Sequence, residues 1–355
     1  MSELWRRLRA VASVLGVALV TLVVAELGMR AVHALRPSFI FASRDYHRFR
    51  GRPHAPNYQD RLNSRGFNDR ERTLAKAPGT YRILAIGDSF VFAIVPREYT
   101  FTTLLERHLN EDSQAAIEVI NLGIPGTAPP EYVEILRREG LAYSPDLVLC
   151  FVFVGNDFIE SARPPTGRRS FVVDLIRYLT RVLPAYQGRI IHGPATYDDD
   201  RPNFDRHTYL GLEKTRAAIF DRHLPHFRHL LAQTAEPLGR LQHLAAGAGA
   251  PLMVVLIPDE LQVDAELRRE VLALTPARDD AEFDWDRPNR ELAERVTELG
   301  VPVLDLTAAF RAAAGQQRLY RRNDSHWNLA GNALAAELLA DWLRAEGLWP
   351  RRARR

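Results

Sequence analysis

The chain of 355 residues contains little cysteine and little lysine, and the shortage of cysteine restricts its chemistry most. Cys150 is the only cysteine, so the chain can form neither an internal disulfide nor a zinc site built from cysteines. Cys150 lies in an uncharged apolar run, which is typical of a buried thiol rather than of a nucleophile. Chemistry based on a reactive or metal-bound cysteine is therefore disfavoured.

The sequence also lacks the glycine-rich signatures of nucleotide binding, internal repeats and low-complexity tracts. No G-x-G-x-x-G or G-x-x-x-x-G-K-[ST] pattern follows any predicted strand. The net charge is +3, and the basic residues are scattered rather than interleaved with aromatic residues, except at the two ends. We therefore expect no nucleic-acid partner, and we interpret the basic run 351–355 as a solvated tail. Apolar residues make up 46% of the chain, which is ordinary for a globular protein with a sizeable core.

One long uncharged apolar run, residues 10–25, lies near the N-terminus behind three arginines. As a helix it would rise about 24 Å, and continuing it to Met29 would span a hydrocarbon core of about 30 Å. We interpret residues 1–35 as a cytoplasmic tail and an uncleaved signal anchor, with Glu26 close to one interface. A cleaved signal peptide ending near Val32-His33-Ala34 and a core helix are the alternatives. The arginines after the run do not favour translocation of the C-terminal part.

Composition divides the rest of the chain into three parts. Residues 36–79 are polar, contain four prolines and predict a juxtamembrane linker. Residues 80–350 predict the main domain, and residues 160–206 interrupt it as an insertion typical of a lid or substrate-selecting cap. Residues 351–355 are the basic tail. Within the linker, 62–69 (LNSRGFND) could pack against the domain edge or border a site.

The main domain alternates apolar strands with helices. Strands are predicted at Arg82–Ile86, Ile117–Leu122, Asp146–Val154, Leu252–Ile257 and Val301–Leu306. Helices are predicted at Tyr99–Asn110, Pro129–Gly140, Tyr209–Ala248 with interruptions near Pro225 and Pro237, Arg290–Leu299 and Leu329–Glu346, and a short one at Val172–Leu183. This order predicts an α/β fold, a flavodoxin-like, doubly wound parallel sheet of five strands with right-handed crossovers.

The stretch around Ser89 is the centre of the predicted site. A buried strand ends at Gly87, whose missing Cβ permits a sharp turn, and Asp88 and Ser89 follow at once. Open α/β sheets bind ligands at the carboxyl ends of their strands, where a helix beginning at Ser89 presents free N–H groups. Gly-Asp-Ser alone is more often a turn with a capping residue. Other segments of the chain are therefore needed to choose between a catalytic serine and a capped turn.

A second polar cluster, 323–328 (NDSHWN), stands just before the last helix. A serine hydroxyl becomes a nucleophile when a base takes its proton and a third group orients that base. Ser89, His326 and Asp324 are candidates for nucleophile, base and orienting acid. An acyl-transfer site also needs oxyanion donors, and the N–H groups of Ser89 and Gly126 and the side-chain amide of Asn156 are candidates.

These segments resemble, in order and spacing, the four blocks of the SGNH or GDSL-type esterase and lipase superfamily. The segment around Ser89 (IGDSF) is similar to the first block, Asn121 with Gly126 to the second, Gly155-Asn156-Asp157 to the third and the Asp324–His326 segment to the last. The family commonly has Asp-x-x-His, whereas position 323 is Asn. Asp-x-His-Trp is similar to a membrane-anchored bacterial branch that includes proteins acetylating exopolysaccharide. Asp305 is the alternative orienting acid.

The resemblance implies a serine esterase without metal or cofactor that acts on O-acyl esters of envelope glycans or lipids. It also implies an inner-membrane protein with its catalytic domain in the periplasm. Two alternatives stay open: an O-acyltransferase that uses the same acyl-enzyme, and a non-catalytic glycan- or lipid-binding module. The expected partners are the acylated substrate and the membrane, and the oligomeric state is undetermined.

Overall fold

A computed structural model of the protein describes residues 2–35, 51, 53–163, 170–177, 179–180, 196–274 and 279–348. The chain forms two compact units. The first consists of residues 1–49 with 164–190, and the second of residues 50–163 with 191–355.

The α-helices of the described residues are, in chain order, α1 (Ser2–Leu35), α2 (Ser89–Phe92), α3 (Phe101–Asp112), α4 (Pro129–Ile135), α5 (Asp157–Ser161), α6 (Phe171–Arg177), α7 (Arg206–Arg216), α8 (Phe227–Gly247), α9 (Glu260–Val263), α10 (Ala265–Ala273), α11 (Arg287–Glu298), α12 (Thr307–Ala314) and α13 (Leu329–Glu346). The strands of the main sheet are β1 (Thr80–Gly87), β2 (Ala116–Gly123), β3 (Leu147–Phe153), β4 (Leu252–Ile257) and β5 (Val303–Asp305). Two short antiparallel ribbons pair Pro56–Asn57 with Asp60–Arg61, and Tyr320–Arg321 with Asp324–Trp327.

The five main strands form one parallel sheet in the order β2-β1-β3-β4-β5, which confirms the predicted flavodoxin-like, doubly wound fold. Gly87 pairs with Gly123, so β1 and β2 end level with each other, and their following loops meet at one edge. Every residue of β3 and β4 is buried, because helices cover both faces: α3 packs with α13, and α4 with α8. The continuous apolar runs of these strands follow from that double coverage.

Of the segment 36–79 predicted as a juxtamembrane linker, residues 36–50 lie outside the described residues, and the described part packs more closely than a linker. Leu62 and Phe67 are buried, and residues 53–79 pack as part of the second unit. The cause is visible at Arg82 in β1, which is almost fully buried. Its guanidinium donates to the carbonyls of Thr73 (2.9 Å) and Leu74 (2.9 Å), so an apparently polar loop supplies acceptors to a buried cation. Its proline and arginine content concealed this packing.

Several element boundaries also differ from the sequence prediction. Pro237 lies inside α8 and does not interrupt it, because its buried ring packs within a helix that tertiary contacts hold together. The predicted helix after Pro129 changes to a π-turn at Leu136–Gly140 and a 3₁₀ turn at Leu141–Tyr143. The segments α10 and α12 were not predicted as helices. Part of the predicted short helix near Val172 lies outside the described residues.

In the first unit, α1 is the one described helix long and apolar enough to cross a membrane. Its span Trp5–Leu35 has a mean hydropathy of 2.3 in its most apolar window, and none of that window is buried. Length and composition alone make this helix compatible with a single-pass anchor.

Candidate active site

The turn after β1 presents Ser89 at the edge of the sheet. Asp88 caps α2 by accepting a hydrogen bond from the Phe90 N–H (2.9 Å), and the Ala93 N–H closes the short helix onto the Ser89 carbonyl (3.0 Å). Gly87 has to be glycine, because a Cβ there would lie 2.5 Å from the Val91 side chain. Asp88 and Phe90 are buried, whereas Ser89 is half-buried. The turn therefore leaves the serine accessible.

The ribbon before α13 brings His326 to this serine. His326 Nε2 lies 2.8 Å from Ser89 Oγ, and His326 Nδ1 lies 2.5 Å from Asp324 Oδ1. With the proton on Nδ1, the imidazole donates to the carboxylate and accepts from the hydroxyl, which satisfies both contacts. Phe90 packs against the imidazole at 5.2 Å between ring centroids. The predicted Ser89, His326 and Asp324 thus form one hydrogen-bonded series.

Asp324 is held from three directions. Its Oδ1 also accepts the His326 backbone N–H (3.1 Å), and its Oδ2 accepts from Arg321 Nη1 (3.2 Å). Burial, with only 1% of the residue exposed, opposes ionisation. The neighbouring His326 and Arg321 outweigh burial, so the pKa of Asp324 lies below its usual value. Asp324 is therefore an ionised acceptor at neutral pH.

Asp305, the alternative orienting acid, lies elsewhere. Its Oδ1 accepts from the Thr307 N–H (2.9 Å), the Thr307 hydroxyl (2.6 Å) and Asn289 Nδ2 (3.1 Å). These contacts place it at the start of α12, where it closes the turn after β5. The structure brings Asp324, and not Asp305, to His326.

The predicted oxyanion donors follow the two strands that flank β1. Gly126 comes after β2 and has a φ of +74°, a backbone conformation that favours glycine. Asn156 comes after β3 and begins α5, with its carbonyl accepting the Glu160 N–H (2.9 Å). Gly155 beside it approaches Asp259 closely, since a Cβ would lie 2.1 Å from Asp259 Oδ2. Because the order is β2-β1-β3, the loops of Gly126, Ser89 and Asn156 are neighbours.

Asn121, the other polar residue of the second block, supports the serine turn. Its side-chain amide donates to the Val91 carbonyl (2.6 Å), and its carbonyl oxygen accepts the Gly123 N–H (2.9 Å). A Cβ on Gly123 would lie 2.1 Å from the Phe92 nitrogen, so β2 and α2 are in close contact. Asn68, from the supposed linker, donates to the Phe92 carbonyl (2.7 Å). The serine turn is therefore fixed from two neighbouring segments.

Sequence reasoning missed three residues beside the His326 ribbon. Arg321 pairs with Asp324, Tyr197 from the insertion lies 5.5 Å from the Arg321 guanidinium, and Tyr58 meets Tyr197 edge to face at 5.4 Å. Tyr58 has a φ of +53°, and its hydroxyl donates to the Ile94 carbonyl (3.1 Å). No local pattern marks these residues, because they come from three segments that only the fold brings together.

The end of the insertion lies on the same ribbon. The Asn203 N–H donates to the Arg322 carbonyl (3.3 Å), and Asn323 Nδ2 donates to the Phe204 carbonyl (3.1 Å). Arg318 donates to the Asp199 carbonyl (3.0 Å). Residues 197–206 therefore pack next to the loop that carries Asp324 and His326.

One protein-family model is similar to the C-terminal part of the chain. A family model described as the SGNH hydrolase-like domain of the acetyltransferase AlgX matches residues 221–354, which include Asp324 and His326 but not Ser89. The predicted resemblance to SGNH proteins is thereby confirmed. It supports an activity on ester bonds of the esterase or acyltransferase type.

Solved structures similar to the chain are esterases and lipases of low sequence identity. They include an acetyl xylan esterase (14% identity, TM-score 0.42, covering 74% of this chain and 99% of that one). A lipase/acylhydrolase from Enterococcus faecalis has 16% identity and a TM-score of 0.39, with 77% and 100% covered. A catalytic mutant of an acetylxylan esterase from Geobacillus stearothermophilus has 17% identity and a TM-score of 0.41, with 77% and 97% covered. A search of curated proteins gave no match.

Proposed function

We propose that the protein is a membrane-anchored serine esterase that removes O-acyl groups, such as O-acetyl, from envelope or extracellular glycans or lipids. The observation that carries this proposal is the series from Ser89 Oγ through His326 to Asp324, with distances of 2.8 and 2.5 Å. A hydroxyl, a neutral imidazole and a buried ionised carboxylate in this order are the arrangement that activates a serine.

In the proposed reaction, His326 Nε2 takes the proton of Ser89 Oγ as the oxygen attacks the ester carbonyl. The negative charge that develops on the carbonyl oxygen is stabilised by the N–H groups of Ser89 and Gly126 and by the Asn156 amide. His326 then gives the proton to the leaving alcohol, which leaves an acyl group on Ser89. Water, deprotonated by the same imidazole, releases the acid and restores the serine. Asp324 keeps the proton on Nδ1 throughout.

An O-acyltransferase is the second candidate, and the description of the matched family as an acetyltransferase favours it. In that reaction a sugar hydroxyl replaces water in the second half, and the site residues keep their roles. Tyr197 and the end of the insertion, which pack beside the His326 ribbon, are candidates for the surface that would hold the acceptor and exclude water.

A fluorophosphonate probe tests the serine mechanism in the full-length protein. We expect labelling of the wild type and of Ser64→Ala, an exposed serine, and none of Ser89→Ala. Equal labelling of all three proteins would exclude Ser89 as the nucleophile. Failure to label the wild type would favour a non-catalytic binding module. A panel of short and long acyl esters, with and without a non-acetylated glycan whose free hydroxyls can accept the acyl group, then separates hydrolysis from transfer by the product formed.

For the location of the protein, we propose that α1 is an uncleaved anchor in the inner membrane, with the second unit in the periplasm. A reporter that is active only in the periplasm, fused after Arg355, should be active. If this reporter is inactive and one that is active only in the cytoplasm is active, the second unit lies in the cytoplasm. The arginines after the helix favour that orientation.

A further inference from the structure

The insertion contains a short helix that packs on the apolar helix α1 within the first unit. Glu26 Oε2 accepts hydrogen bonds from Ser170 Oγ (2.7 Å) and from the Val172 N–H (3.0 Å). Arg30 lies 4.6 Å from the centre of the Phe171 ring, and His33 meets the same ring edge to face at 5.3 Å. The start of α6 is therefore attached to the last third of α1.

The contacts of Glu26 explain how a carboxylate is accommodated there. Its other oxygen, Oε1, pairs with Arg30 at 2.6 Å, so both oxygens have partners. The sixteen residues before Glu26 are uncharged, which places this carboxylate at the end of the apolar stretch of α1. A charged group at the boundary of a bilayer is tolerated when it is paired or reaches the interface.

The outer side of α6 is apolar and exposed. Val173 and Ile176 of α6, and Leu179 two residues beyond its end, follow one another at intervals of three residues and are 58%, 55% and 49% exposed. Asp174, on the other side of the helix, is buried. An apolar stripe of this kind on a short helix is the pattern of segments that lie in the plane of a membrane interface.

We infer that the apolar stripe formed by Val173 and Ile176 of α6 and by Leu179 just beyond it binds the boundary between lipid headgroups and acyl chains. The inference rests on the proposal that α1 is a membrane anchor. The stripe belongs to the same unit as α1, and α1 exposes its own apolar side chains along the candidate span. For this reason we assign a bilayer as the partner that covers the stripe. The insertion would then be a second membrane contact of the protein.

The test uses full-length protein in vesicles of phosphatidylcholine and phosphatidylglycerol. An environment-sensitive fluorophore is attached to single cysteines introduced by Val173→Cys, Ile176→Cys, Val20→Cys in α1 and Leu212→Cys, an exposed position in α7. The native Cys150 is fully buried, and unsubstituted protein serves as the labelling blank. Lipids with a nitroxide either near the headgroup or deep in the chain then quench the fluorescence.

We expect deep quenching at position 20, shallow quenching with blue-shifted emission at 173 and 176, and neither at 212. If labels at 173 and 176 emit like that at 212 while position 20 is quenched, α6 lies in water and the inference is overturned, although the anchor stands. If position 20 is not quenched either, the proposal that α1 is a membrane anchor is wrong.

A second pair of variants tests the attachment of α6 to α1. Glu26→Gln removes the charged acceptor of Ser170 and Val172, and shallow quenching at 173 should fall towards the value at 212. Glu3→Gln, which breaks only the exposed pair with Arg7, should leave quenching unchanged. Equal quenching in the two variants would overturn the role of Glu26 in holding the helix.

Discussion

Asp324 and a second set of buried carboxyls in the second unit differ in the direction of their pKa shifts. Asp324 has partners on both oxygens and a lowered pKa. A second set lies around Arg216 and under the loops of Ser89 and Asn156: Asp88, Asp157, Glu160, Glu213, Asp259 and Glu260. Burial raises the pKa of Asp88 to about 6, that of Glu160 to about 7 and that of Glu260 to about 8.

The comparison shows that burial alone does not decide the charge of these groups. Asp157 is buried and bonded to neutral donors, Tyr132 Oη (2.9 Å) and the Phe153 N–H (3.1 Å). Burial and the neighbouring Asp88 raise its pKa well above the usual value. Asp324, by contrast, faces a guanidinium and an imidazole. The loop of His326 therefore carries an ionised carboxylate beside the base, whereas burial raises the pKa values of the carboxyls in the second set.

The largest expected effect comes from removing the charge of Asp324. Asp324→Asn keeps the shape of the side chain but no longer stabilises the imidazolium or the Nδ1 tautomer. We expect turnover of a short acyl ester to fall on the order of 10³–10⁴-fold. Steady-state kinetics with Asp305→Asn as the control, expected within about threefold of the wild type, checks this. The reverse ranking would transfer the role to Asp305.

The next effect concerns Asn156, a predicted oxyanion donor that directly precedes Asp157 of the second set. An uncharged donor to the oxyanion acts in the transition state and not on the bound ester. Asn156→Ala should therefore lower kcat about 10²–10³-fold with KM nearly unchanged. A raised KM with kcat intact would make Asn156 a substrate contact, and loss of the folded state would make it a turn residue only.

A smaller effect is expected from Arg321, the partner that distinguishes Asp324 from the second set. Arg321→Gln removes a positive charge that helps to lower the pKa of Asp324, so the carboxylate that orients His326 is less strongly stabilised in its ionised form. We expect kcat for a short acyl ester to fall, but by less than in Asp324→Asn. Arg322→Gln, the exposed neighbour, should leave kcat unchanged, and an unchanged kcat in Arg321→Gln would contradict the role.

The roles of some of these residues could be predicted from the sequence, and those of others could not. Ser89, Asn156 and His326 could be found because each follows an apolar strand or precedes a regular helix, and because their segments resemble the SGNH blocks in order and spacing. Arg321, Tyr58 and Asn68 could not, since nothing local distinguishes an arginine that pairs inside a site from the many on the surface. The packing of residues 53–79, part of the predicted linker, could not be predicted for the same reason. Their polar groups form hydrogen bonds with buried partners that are distant in the chain.

The smallest effect concerns stability and the second set. A carboxyl with a raised pKa in the folded protein binds its proton more tightly there than in the unfolded chain. Its contribution to the free energy of unfolding is therefore present below about pH 4.5 and is lost as the pH rises towards the folded value, about 8 for Glu260. The melting temperature of the wild type should fall by roughly 5 °C between pH 6 and pH 9.

Glu260→Gln provides the control for this titration, because a neutral amide cannot lose a proton. Calorimetry at several pH values should show a flatter dependence for the variant than for the wild type. Identical slopes would mean that the titration of Glu260 does not contribute to this pH dependence, although burial raises its pKa.

The buried guanidinium of Arg82 has a practical consequence for how the second unit can be produced. Besides Glu118, at 2.6 Å, its acceptors are carbonyls of residues 73–75 and of Tyr143. A fragment that starts at residue 80 would leave several N–H groups of a buried cation unsatisfied, each at a cost of about 1–3 kcal/mol. A soluble version without the apolar helix therefore has to start upstream of residue 73, so that it keeps the carbonyls that accept hydrogen bonds from Arg82.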